Sequence, residues 1–89
     1  MPLTDDFADA IALSLTALIE RSVSHFLSPS DQAMAVASCA MFLTAHPECT
    51  DRFKRDLAEK ANDMDEANAA TVTRCGQKVL GHLSAPIPG

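Results

Sequence analysis

The chain has 89 residues, enough for one domain with a modest core. Hydrophobic residues make up 47% of it, with 4 Phe and neither Trp nor Tyr, which excludes a disordered chain and favours the Ala, Leu, Val, Ile and Met vocabulary of helices. Its formal net charge of -5 repels phosphate, so neither direct nucleic-acid binding nor attachment to an anionic membrane is expected.

The first predicted helix starts at Thr4, a good N-cap. Asp5 and Asp6 occupy the first turn, where the helix dipole favours anions, and Leu3 can staple the entry. At about 100° per residue, Phe7, Ile11, Leu15, Leu18, Ile19, Val23 and Phe26 share one broad face. Asp6, Asp9, Thr16, Glu20 and Ser24 fall opposite, so an amphipathic helix to residue 27 is expected. Leu13 lies on the polar side, an exposed apolar contact in waiting.

A second helix is expected from Ser28 as N-cap, with Pro29 at its first position and Asp31 at its third. Residues 33–45 follow with only Ser38 and Thr44 polar. A helix apolar all round is buried on most sides or covered by a partner. Ala33, Ala37, Ala40 and Thr44 form a stripe of small residues that lets another helix approach. Met34, Met41 and Phe42 flank it on one side, and Val36, Cys39 and Leu43 on the other.

His46-Pro47 ends that helix, because the residue before proline is pushed out of helical geometry. A third helix begins at Pro47 or Thr50. Phe53, Leu57, Ala61, Met64, Asn68, Thr71, Cys75, Val79 and His82 hold one phase, which points to a single long helix over 50–83. The rival is a break near Asn62-Asp63, where Glu59, Asp63 and Glu66 crowd like charges. Glu48–Arg52, Asp51–Arg55 and Asp56–Lys60 are spaced for ion pairs along the first half. Gly76 and Gly81 weaken the end, and 84–89 is expected to be a tail. The expected fold is therefore an all-α bundle of three helices with a long third, or four if it breaks, in one domain over 1–83.

Cys39, Cys49 and Cys75 are an odd number at wide spacing, unlike a secreted disulfide framework. The first residues lack the basic start of a signal peptide, and the apolar runs 11–19 and 33–43 are short of the ~20 residues that span a bilayer. A reducing, cytoplasmic setting is the expectation.

Chemistry is sparse. His46 with Cys49, and Cys75 with His82, lack the close-set cysteine pairs that zinc sites use, and they read better as loop and core residues. Cys49 sits at a helix start, which would lower a thiol's pKa, but Cys49 and His46 read equally as incidental neighbours. Arg52, Lys54 and Arg55 are interleaved with Asp51, Asp56 and Glu59, so a salt-paired, solvated face is expected there rather than a DNA-reading helix. No catalytic residue, metal or cofactor is expected.

A third helix of about 50 Å would outrun its companions and leave apolar surface for a second chain, so a symmetric dimer is expected. The expected function is protein–protein binding, as a small adaptor, chaperone or regulatory subunit that self-associates. Leu13, Met34, Met41 and Phe42 are the expected partner-binding residues. The alternative is a small acidic inhibitor of the phage type, occluding or mimicking nucleic acid on its target through Asp5, Asp6, Asp9 and Glu20.

Overall fold

A computed structural model describes residues 4–24 and 28–84. Among them lie four α-helices, α1 (Asp5–Ser24), α2 (Pro29–Ala45), α3 (Thr50–Asn62) and α4 (Glu66–Ser84), with a 3-10 turn over Pro47–Cys49. No strand occurs among the described residues. The expected staple at Leu3, the last turn of the first helix with Phe26, and the tail beyond residue 84 lie outside the described residues.

Local sequence sets the helix starts. The Thr4 hydroxyl accepts from the Phe7 N–H at 3.2 Å and opens α1. Ser28 caps α2 with extended backbone, accepting from the Asp31 N–H at 3.2 Å and donating to its carboxylate at 2.9 Å. His46 (φ -133°, ψ 71°) leaves helical geometry and ends α2, as its proline neighbour favours. Pro47 then nucleates the 3-10 turn and Thr50 continues into α3, so both expected starts are used in succession.

The single long third helix is not what forms. The chain breaks at 63–65, the rival outcome. The Asp63 and Met64 N–H groups donate to Lys60 and Ala61 carbonyls at 3.1 and 3.2 Å, the tightened i→i+3 pattern of a helix running out. Asp65 then caps α4, its carboxylate accepting from the Asn68 N–H at 3.3 Å. The shared phase of the two halves survives because each needs an apolar face of its own. Phe53 and Leu57 on α3 and Cys75 and Val79 on α4 are buried, and α3 folds back on α4. The two come close where Gly76 lies against the Leu57 side chain.

The buried face of α1 is turned from the expected one. Leu15, Ile19 and Val23 are buried as read, but their companions are Ala8, Ala12, Thr16 and Ser22 rather than Phe7 and Leu18. Small residues let α1 sit close to α2, α3 and α4 at once. Thr16 and Ser22 tolerate burial because each hydroxyl donates to a carbonyl of its own helix, Ala12 at 2.9 Å and Ile19 at 2.7 Å. The core face of α2 is Ala35, Val36, Cys39, Ala40 and Leu43. The rest of the expected small stripe, Ala33, Ala37 and Thr44, faces outward.

α1 and α2 run antiparallel, as two bonds show: Gln32 Nε2 donates to the Ser22 carbonyl at 3.4 Å and the Cys39 thiol to that of Leu15 at 3.7 Å. The Cα atoms span only 17 Å along the shortest axis. That is room for two layers of helices 8–10 Å apart, so α2 has a core side and an open side.

The bases of α3 turn mainly to acids of α1 rather than along their own helix. Arg52 donates from Nε to Asp9 at 2.7 Å and from Nη2 to Asp5 at 2.9 Å. Arg55 lies 3.9 Å from Asp9 and 3.6 Å from Asp56, and Lys60 reaches Glu20 at 3.3 Å. The acidic first half of the chain is thus tied to bases of the second.

Candidate functional site

The open side of α2 is the least ordinary surface of the molecule. From 32 to 45 the helix carries no charged residue. Ala33, Met34, Ala37, Met41 and Ala45 all face outward, Met34 at 68% and Met41 at 74% exposure. Single exposed apolar residues are normal on a surface; a run of them along one helix is less so.

Three of the hollows beside this face involve its methionines. The largest, about 750 Å³, runs between α1 and α2, with Ala17 and Leu18 on one wall and Met34, Ala35 and Ser38 on the other. Arg21 and Asp31 stand at its loop end. A second, about 370 Å³, is lined by Ser38, Met41, Phe42, Ala45 and His46. A third, about 400 Å³, lies beyond Met41 among Ala37, Ala40, Thr44 and His82. Met41 is therefore a ridge between two hollows, on an unbranched, adaptable side chain.

Of the expected partner-binding residues, Met34, Met41 and Phe42 belong to this surface. Phe42 is half-buried, its ring 4.9 Å from that of His46, and it forms a wall rather than a projection. Leu13 is exposed at 54% but lines none of these hollows. Leu18, exposed at 40%, is the α1 residue that faces Met34 across the groove. Periodicity puts Leu18 and Phe7 on the apolar face of α1, yet packing leaves both exposed, Phe7 at 56%. The sequence signal was the width of the apolar arc on α1, more than its neighbours could cover.

The expected acidic face is largely spoken for. Asp5, Asp9 and Glu20 are the partners of Arg52, Arg55 and Lys60, while Asp6 is exposed beside them. Of the three bases that a DNA-reading helix would use, Arg52 and Arg55 point into the same network, while Lys54 is exposed outside it.

The three thiols are free and buried. Burial, with Cys75 nearby, pushes the Cys39 thiol up to about 11. Burial also pushes the Cys49 thiol up, aided by Glu48 and opposed by Arg52. Cys49 thus lacks the lowered pKa that its position at a helix start suggests, since burial raises it. His46 instead approaches Glu48, Nδ1 to carboxylate 3.5 Å. Among the described residues no group of three or more His, Cys, Asp or Glu is placed to hold a metal. Nor is any helix among them long and apolar enough to cross a membrane.

No family model, no curated protein and no solved structure matches the chain.

Proposed function

We propose that this chain is a protein-interaction module, a small adaptor, chaperone or regulatory subunit, that binds through the open side of α2 and the groove beside it. The observation that carries the reading is the pair Met34 and Met41, largely exposed on a helix with no charge between Asp31 and Glu48. An ordinary solvated helix carries charge on its outer face. Flexible thioethers beside hollows suit a partner that buries apolar side chains. Three free cysteines fit a reducing, cytoplasmic setting. The acidic-inhibitor reading draws less support, because Asp5, Asp9 and Glu20 already answer cations of the same chain.

The test is a quantitative pull-down from cells of the source organism, comparing the tagged chain with a Met34→Asp, Met41→Asp double variant. Both side chains are exposed, so the variant should keep its helix content and melting temperature. Recovery of specific partners should fall at least tenfold. Equal recovery by a folded variant sinks the proposal.

A further inference from the structure

We propose that the α1–α2 groove is where a second copy of this chain docks, with Arg21 of each copy set against Asp31 of the other. This deepens the interaction reading and rests on it.

Arg21 is the one Lys or Arg among residues 1–46. It is exposed on the α1 wall of the groove, with exposed Asp31 on the α2 wall at the same end. Opposite charges share a groove, yet among the described residues neither has an ion-pair partner. Asp31 is held only by the cap of its own helix, through Ser28. Arg52, Arg55 and Lys60 pair with acids of α1, whereas Arg21, like Lys54, Arg74 and Lys78, has no ion pair among the described residues; what sets Arg21 apart is an unpaired acid across the same groove.

The placement of this couple is self-complementary. α1 and α2 are antiparallel, so Arg21, just before the connecting loop, and Asp31, just after it, lie level along the groove. A two-fold axis running along the groove lays α1 of one copy over α2 of the other. Level positions stay level under that operation, so each Arg21 meets the partner copy's Asp31 and both pairs form at once. The same operation brings Leu18 of each copy over the Met34 wall of the other, an apolar centre rimmed by two ion pairs.

Charge favours this face over others. Two chains of net charge -5 repel, so a contact between copies must avoid their acids. The acids Asp5, Asp9 and Glu20 lie toward α3, held by its bases, and the α2 face contributes no charge past Asp31. A foreign partner of strong charge of either sign would find only one half of the Arg21–Asp31 couple to answer it.

Sedimentation velocity over a wide range of concentration tests the proposal. The wild-type chain should move toward twice its 9.5 kDa mass as concentration rises. Arg21→Asp and Asp31→Arg should each raise the dissociation constant at least tenfold, because like charges then face each other. Mixing the two singly changed chains should restore dimer, since every cross-pair is again opposite in sign. Circular dichroism checks that each variant folds; if Asp31→Arg does not, Arg21→Asp compared with Arg21→Lys reads the same pairing. A wild-type chain that stays monomeric throughout overturns the second copy as occupant. So does a dimer indifferent to both changes, or a mixture of folded variants that fails to associate. A monomer that still loses its partners on Met34→Asp, Met41→Asp leaves the interaction surface standing without the second copy.

Discussion

Arg52 donates its Nε–H to the carboxylate of Asp9 at 2.7 Å, and so ties the start of α3 to the first turns of α1. The same guanidinium reaches Asp5 and, through Nη1, the Glu48 carbonyl at 2.9 Å. One planar fork thus joins three points, which an ammonium cannot reproduce. Replacing Arg52 by Met keeps most of the packed stem and removes the fork. Stability to urea should fall by about 1 kcal/mol, because the pair is partly exposed and screened. Arg52→Lys should recover less than half of that. Raising salt to about 0.5 M should shrink the difference between wild type and Arg52→Met. A loss that is insensitive to salt would point to packing instead.

The two glycines of α4 should respond in opposite ways. Nothing lies within 4 Å of a Cβ added at Gly81, so Gly81→Ala gains helix propensity, about 0.8–1 kcal/mol. A Cβ at Gly76 meets the Leu57 side chain, which must turn aside. Gly76→Ala should therefore lie about 1–2 kcal/mol below Gly81→Ala. Gly76→Val should cost more than either. Urea midpoints for the three variants settle the order.

Asp65 decides where α4 begins. Asp65→Ala leaves the Asn68 N–H without its acceptor and should cost about 1 kcal/mol. Asp65→Asn or Asp65→Ser should cost only a few tenths, since either still caps. Amide exchange should speed up first at 66–69 in the Ala variant. Uniform acceleration across α3 and α4 would mean the two behave as one unit.

Cys39 makes stability fall on the alkaline side. Its proton is held tighter in the folded chain, to about 11 against an ordinary 9.0. Between those values the unfolded chain has lost the proton and the folded chain keeps it, so raising pH pulls the equilibrium toward unfolding. Below pH 9 this contribution is fully present. Denaturation midpoints should decline from about pH 9 to 11, and Cys39→Ala should start lower but decline less steeply. At neutral pH a thiol reagent should label none of the three cysteines quickly, and all three once urea unfolds the chain. Prompt labelling of one native thiol would contradict its burial.

The parts of this fold that were legible in the sequence are those set by neighbours in sequence. Thr4, Ser28-Pro29-x-Asp31 and His46-Pro47 each act within one turn, and each does what its chemistry implies. The break before α4 was equally local and legible as the rival near Asn62-Asp63, but the unbroken phase from Phe53 to His82 favours one helix and leaves the cap at Asp65 unseen. Phase reports which residues are apolar, not whether the backbone between them is continuous. Periodicity likewise puts Phe7 and Leu18 on the apolar face of α1 and gives no place there to Ala8 and Ala12. Which of them is buried depends on how near the other helices come, and small residues won. The bonds from Arg52 and Lys60 to α1 need the tertiary arrangement, although the uneven charge of the two halves hinted at them. Met34 and Met41 could be named as prominent, but Leu18 as their companion could not, because a groove belongs to two helices.

The uncharged stretch of α2 also bears on how the protein behaves as a colloid. Far above its isoelectric point, the chain's negative charge opposes open-ended clumping. On acidification that repulsion fades while the methionine-bearing face stays as greasy as before. Precipitation should therefore set in sharply near the isoelectric point. A Met34→Lys, Met41→Lys chain should stay clear when tested at an equal distance from its own isoelectric point.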